Sequence, residues 1–219
     1  MLLAVDTSTQ MMGISLITEH DVKSEVMWTT DRYHTVELAP AVEKILQRIG
    51  ATSNDLTALG IAQGPGSFTG LRIGMSLIKG LAYARQLPII AVPTLDITAA
   101  CYPAGEVENL VAVLQAGRSR IAAGWYQAVQ GEWVPVGEPE NLTEEGLLEK
   151  ISTPAVLTGE ISESLRRAVA AFEDVSCSSA VQSVRRPAVL ASLAWGKWKK
   201  GAVSEPETLA PLYLSRGDD

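Results

Sequence analysis

The chain has 219 residues, 47% of them hydrophobic, and a formal net charge of −7. Its mean hydropathy of +0.13 supplies material for a sizeable core and excludes disorder by composition, while the acidic balance excludes a protein that holds nucleic acid by its own field. Cys101 and Cys177 lie far apart in no motif, which excludes a disulfide framework or a zinc ribbon and reads as buried free thiols in a reducing compartment.

The opening M-L-L-A-V-D reaches an aspartate at position six and has no basic or long apolar stretch of the kind a signal peptide carries. No apolar run approaches the roughly 18 residues that span a bilayer, so the expectation is a soluble, cytoplasmic chain with no membrane partner. Leu2–Val5 is a short apolar run and reads as a buried strand. Asp6-Thr7-Ser8-Thr9 forms a polar turn, Met12–Ile17 returns as a second strand, and Ser24–Trp28 gives a third. A helix from about Thr35 to Ile49 follows, with Leu38, Ala41, Val42, Ile45, Leu46 and Ile49 at helical spacing; Pro40 falls early, where a first turn tolerates it, and Gly50 supplies the stop. Ala58–Ala62 is a strand, the glycine-rich Q-G-P-G-S-F-T-G opens a second long helix, Leu87–Val92 is a strand, and Pro93-Thr94 starts another helix.

The second half repeats that order. Leu110–Leu114, Ile121–Ala128 and Trp133–Val136 read as strands, and Thr143 caps a helix whose first turn holds Glu144 and Glu145. Ala155–Leu157 is a strand, Ser162–Phe172 a helix, and Pro187 opens a last helix closed by Lys197, Lys199, Lys200 and Gly201. Proline, glycine and acidic residues between Tyr102 and Glu108 mark the boundary, giving units 1–103 and 104–219. Each reads β-β-β-α-β-α. A duplicated unit of this kind is the α/β plan of actin, Hsp70 and sugar kinases, whose members bind ATP between the halves.

The glycine stretch admits two chemistries. Gly64 and Gly66 follow a strand and precede a helix, where amides point at an anion. The spacing is G-x-G-x-x-x-G, however, and matches neither the dinucleotide fingerprint nor a P-loop with its lysine. Alternatively, Gly66, Gly70 and Gly74 stand four apart on one stripe that lets another backbone approach. Leu71, Met75 and Ile78 run beside it, then Ile73, Leu77 and Leu81, leaving only Thr69, Arg72, Ser76, Lys79 and Tyr83 as a polar stripe. Such a helix is covered on more than one side, by its own core or by a partner.

Other candidates are sparser. Asp6, Thr7 and Ser8 occupy the first hairpin, where an aspartate and hydroxyls suit a phosphate-bound magnesium ion; an ordinary polar turn uses the same residues. His34 has Leu38 four residues on, where a His-x-x-x-His metal pair needs its second ligand. Ser67 lacks a histidine base and reads as a helix cap. Arg118 and Arg120 stand in a turn between strands, as solvated residues or phosphate contacts, and the pairs Arg166-Arg167, Arg185-Arg186 and Lys199-Lys200 as solvated helix ends.

L-A-V-D-T-S-T at Leu3–Thr9, G-P-G-S-F-T-G-L-R-I-G at Gly64–Gly74 and P-L-Y-L at Pro211–Leu214 resemble the bacterial TsaB (YeaZ) family over essentially the whole chain. The resemblance implies an actin-like (ASKHA, ribonuclease H-like) two-subdomain fold. It implies a part in threonylcarbamoyl modification of the adenosine next to the anticodon of certain tRNAs, without chemistry of its own. The partners implied are a TsaD-type transferase and a TsaE-type ATPase, which handle ATP and magnesium. A homodimer forms when the partner is absent, and tRNA is met only through the complex. Pairing through the first two long helices implies an interface of Leu38, Val42, Ile45 and Ile49 with Gly66, Gly70, Leu71, Gly74, Met75 and Ile78. Two departures bear on it. Gln115 stands where the family often has the aspartate of D-A-R, and L-T-G-E-I-S at Leu157–Ser162 keeps one glycine, Gly159, of an adenosine loop's pair. The rival functions are a free-standing actin-fold ATPase or kinase and a glycoprotease-like peptidase.

Overall fold

The structure, a computed structural model, describes residues 1–30, 34–117 and 120–214, with side chains in the first helix from Val36 onward. It contains two compact units, Met1–Thr94 with Arg186–Leu212, and Leu95–Arg185 with Tyr213–Asp219.

In the first unit, β1 (Leu2–Asp6), β2 (Met11–Ile17) and β3 (Val22–Thr29) form an antiparallel meander, followed by α1 (His34–Arg48). Then come β4 (Ala58–Ala62), α2 (Phe68–Arg85) and β5 (Ile89–Val92). β4 lies parallel to β1 and β5 parallel to β4, giving the order β3-β2-β1-β4-β5. Alternation along each strand sorts side chains by size. Leu3, Val5, Met12, Ile14, Leu16, Leu59 and Ile61 point to the face covered by α1 and α2.

The opposite face carries small residues and receives the last helix. A Cβ built on Gly13 would lie 2.9 Å from Pro187 Cγ, and one on Gly60 3.1 Å from Ala194 Cβ. Ser15 Oγ donates to the Pro187 carbonyl at 2.8 Å.

The second unit begins with α3 (Thr94–Ala100), most of which it contains. Its strands are β6 (Asn109–Gln115), β7 (Ile121–Val129), β8 (Glu132–Pro135) and β9 (Glu140–Leu142). α4 (Glu144–Lys150), β10 (Ala155–Gly159), α5 (Glu163–Val169), β11 (Val175–Cys177) and α6 (Ala180–Ser183) follow. The sheet order is β11-β10-β6-β7-β8, with β9 also on β7. Taken from its own first strand, this is the first sheet's order over again. α3 covers one face with Leu95 and Ala99, and α4 and α5 cover the other with Leu147, Leu165 and Val169. The duplicated β-β-β-α-β-α order, each with the same mixed-sheet order, is the actin-like α/β fold.

Three expectations need correction. The division at 103/104 gave the last helix to the second unit, but α7 (Pro187–Lys199) lies on the first sheet and belongs to the first unit, while α3 opens the second. The small-residue face of β1, β2 and β4 is the physical reason: it is apolar and α1 and α2 do not cover it. α5 ends at Val169 rather than Phe172 because Ala171 and Phe172 donate to carbonyls three residues back, tightening the end, and Phe172 stays exposed. Pro40 lies inside α1, beyond the first turn where it was expected. The three-residue β9 and β11 were not anticipated, being too short to show a period. Among the described residues no helix is long and apolar enough to cross a membrane.

Candidate functional site

The hairpin between β1 and β2 holds the sequence-predicted phosphate residues, and all are buried: Asp6, Thr7 and Ser8 are each at most 2% exposed. Buried polar groups need partners, and these find them inside the chain. Ser8 donates to Asp6 Oδ1 from its amide at 2.9 Å and from its hydroxyl. Thr7 Oγ1 donates to the Gly70 carbonyl at 2.8 Å, and the Ser67 amide donates to the Ser8 carbonyl at 2.6 Å.

The glycine stripe makes this contact possible. A Cβ at Gly66 would stand 2.2 Å from Ser8 O, one at Gly70 2.2 Å from Thr7 O, and one at Gly74 2.2 Å from Thr7 Oγ1. The stripe of α2 is therefore filled by the chain's own hairpin. Gly66, Gly70 and Gly74 are packing positions, and the Thr7 hydroxyl and the Ser8 carbonyl are engaged in that packing. Ser67 is the N-cap of α2, accepting from the Gly70 amide at 3.2 Å, as its place in the sequence suggested.

Most of the other expected interface residues are also internal. Leu38, Val42, Ile45, Met75 and Ile78 are buried in the core under the first sheet, Ile49 packs half-buried against it, and Leu71 is fully buried. A helix apolar nearly all round looked as though it had a face to spare. Much of that surface is used because α2 meets two things at once, the sheet through Met75 and Ile78 and the hairpin through its glycines.

What α1 and α2 do present is a groove of about 520 Å³ lined by Leu38, Ala39, Phe68, Thr69, Arg72, Ile73, Ser76 and Leu77. Phe68 is 55% exposed, and the Arg72 guanidinium lies 3.7 Å above its ring centre, a cation–π contact that holds the aromatic at the groove's edge. Thr69, Arg72 and Ser76 belong to the stripe read as polar; Phe68 was missed, and its place beside the N-cap, off the apolar stripe, was the available signal.

The remaining candidates separate. Leu38 is buried at the lining of the groove, while the side chain of His34 lies outside the described residues. Among those described, no group of three histidine, cysteine or acidic residues is placed to hold a metal. Arg118 lies outside the described residues; the Arg120 carbonyl accepts from the Ala116 amide at 2.8 Å in its turn. Gly159 has φ +108°, and a Cβ there would lie 2.2 Å from Val113 O, so this glycine serves a close backbone approach. Gln115 donates from its amide to Glu160 Oε2 at 3.1 Å and from its side chain to the Glu160 carbonyl at 3.2 Å. Cys101 and Cys177 are half-buried free thiols rather than fully buried ones, and burial pushes the Cys177 thiol up.

Comparison with known proteins gives consistent matches. Residues 27–192 match the family model "TsaD: tRNA N6-adenosine threonylcarbamoyltransferase". The chain is 33% identical to the tRNA threonylcarbamoyladenosine biosynthesis protein TsaB of Bacillus subtilis over 97% of its length and 93% of the relative's. It is 35% identical to the Haemophilus influenzae TsaB over 55% of this chain and 51% of that one. Among solved structures, YeaZ from Pseudomonas aeruginosa superposes with a TM-score of 0.79 at 28% identity, covering 97% of this chain and 99% of that one. A Pseudomonas aeruginosa protein described as similar to the peptidase YeaZ gives 0.81 at 29% identity, covering 98% and 99%. With the duplicated fold, the three motifs and a full-length relative in agreement, the chain belongs to the TsaB (YeaZ) family.

Proposed function

We propose that the chain serves tRNA threonylcarbamoyladenosine formation as a non-catalytic accessory subunit that binds and activates a TsaD-type transferase. The observation that carries this reading is the groove between α1 and α2, walled by Phe68, Ile73 and Leu77. An apolar helical groove of this kind takes helices of another chain. A helix pair seated there stabilises the transferase in its active arrangement by binding that arrangement better than the inactive one. In the partner's absence a second copy of the chain occupies the groove. A TsaE-type ATPase joins the assembly, ATP and magnesium are handled by the partner subunits, and tRNA is met only through the complex, in the cytoplasm. The family name of the full-length relative supports the pathway. The Thr7 hydroxyl engaged by α2 and the Ser8 hydroxyl engaged by Asp6 support a chain without a nucleotide of its own.

The test is size-exclusion chromatography with light scattering on the chain alone and mixed with the TsaD-type subunit of the same organism, together with reconstituted modification activity. The expected result is a heterodimer peak that replaces a homodimer peak. Phe68→Glu, at an exposed position, and Leu77→Glu, at a half-buried one against the core, are expected to abolish that peak and the activity, with Phe68→Glu leaving the unfolding midpoint nearly unchanged. Wild-type association by both variants would remove the groove from the interface. Modification activity undiminished when the chain is left out would overturn the accessory role itself.

A further inference from the structure

A second surface, wholly within the second unit, is not used by the reading above. One face of β7 carries Trp125, Gln127 and Val129 by strand alternation. Register places Val134 opposite Gln127, and the Val136 amide donates to the Trp125 carbonyl at 2.7 Å. Val129, Val134 and Val136 are 46%, 43% and 53% exposed. Val136 beside the tryptophan, Val134 next along and Val129 further out on the same face form an apolar strip of the kind that marks a binding surface.

The patch borders a cavity of about 470 Å³ whose wall includes Trp125, Tyr126, Val136, Glu138, Glu140 and Lys150. Among the described residues lining it, Lys150 is the one basic side chain, against two carboxylates. Its ammonium sits 2.5 Å from Glu140 Oε2 with both side chains partly exposed, while Glu138 has no ion-pair partner among the described residues. The cavity thus already takes one cation from its own chain and has a second carboxylate and an indole in reserve.

We propose that this surface docks an extended segment of a partner protein in which an arginine or lysine is flanked by aliphatic residues. The cation enters the cavity against Trp125 and between Glu138 and Glu140, where carboxylate pairing and the indole act together. Its aliphatic neighbours lie on Val129, Val134 and Val136. Charge complementarity fixes the choice of occupant: the wall is acidic, as is the whole chain at −7, so an acidic segment or a nucleic acid is repelled. Lys150 is an internal competitor for Glu140, and its removal strengthens the site.

The test is a titration of the ¹⁵N-labelled full chain with acetyl-Val-Arg-Val-amide, followed by the Trp125 indole resonance and the amides of Val134, Val136, Gly137, Glu138 and Glu140. Saturable shifts confined to these signals are expected. The peptide with citrulline in place of arginine, equal in shape and uncharged, is expected to bind about tenfold more weakly. Glu138→Gln with Glu140→Gln is expected to bring the arginine peptide down to the citrulline level, and Lys150→Met to tighten it several-fold. No shifts at millimolar peptide, equal binding of the two peptides, or a Lys150→Met variant that binds no better than wild type would each overturn the proposal. None of these readouts depends on the transferase, so the accessory role stands or falls separately.

Discussion

At Gly70 a methyl group would stand 2.2 Å from the Thr7 carbonyl oxygen, whereas further along the same helix at Gly80 it would meet nothing within 4 Å. The two positions look alike in the sequence, and opposite outcomes are expected. Gly70→Ala forces the hairpin off α2 and should cost about 1–3 kcal/mol, as overpacking does. Gly80→Ala removes only the entropic penalty of glycine in a helix and should add about 0.5–1 kcal/mol. Urea unfolding midpoints of the two variants check both signs. Asp55 gives a second residue-scale expectation. It closes the capping box of the short turn Ser53–Asp55, its Oδ2 accepting from the Thr52 amide at 2.8 Å and hydroxyl at 3.0 Å. The Thr52 backbone bond first, then its hydroxyl, lower the Asp55 carboxyl below the ordinary 3.8. A depressed carboxylate stabilises the fold at pH values above the unfolded group's pKa, and that contribution is lost as pH falls through the lower folded value. Asp55→Asn should therefore unfold more easily than wild type at neutral pH, and the gap should close once the pH drops well below about 4. A gap independent of pH would assign the effect to packing instead.

Among elements, α2 decides most, and it separates two kinds of substitution that helical spacing alone does not. Met75 is sealed between helix and sheet, and Leu77, two residues on, is half-buried at the groove. Met75→Glu buries an unpaired charge and is expected to cost several kcal/mol, read as loss of the cooperative transition and of soluble yield. Leu77→Glu is expected to keep that transition and lose only the partner. Element type was legible from period and punctuation: α2 begins after Ser67, which caps it, and β4 spans Ala58–Ala62 as its apolar run foretold. What covers each face of an element was not legible. The sequence shows glycines at four-residue spacing, but whether a foreign helix or the chain's own Asp6–Ser8 hairpin fills the stripe depends on a pairing between segments some sixty residues apart. Val42, Ile45 and Ile78 qualified by apolarity, which is also what qualifies a core residue, while Phe68 and Arg72, which line the groove with Leu38, stood off the apolar stripe.

On the scale of the whole molecule, the first sheet depends on a helix encoded far beyond it. Pro187 starts α7, the Ala188 amide donates to Glu25 Oε1 at 2.9 Å, Arg186 pairs with the same carboxylate group, and Lys199 meets Glu19 at 3.0 Å. The carboxylate of Glu25 thus sits at the amino end of α7, where the helix dipole favours it, and Leu190, Ala191 and Ala194 close the sheet. A fragment of residues 1–103 holds all of β1–β5 but leaves that face open. It is expected to lack a cooperative urea transition by circular dichroism, and to gain one when a peptide of residues 186–212 is added. A sharp transition in the fragment alone would show that α7 is dispensable.

The crossing of α7 also sets a timetable. Synthesis delivers the strands of the first sheet early, yet the helix that shields their small-residue face leaves the ribosome only after Leu95–Arg185 has been made. At about 5–20 residues per second, Ala4, Gly13, Ser15 and Gly60 wait several seconds without their cover. The sheet translated first waits for a helix translated late, and a nascent-chain chaperone has that interval in which to hold it.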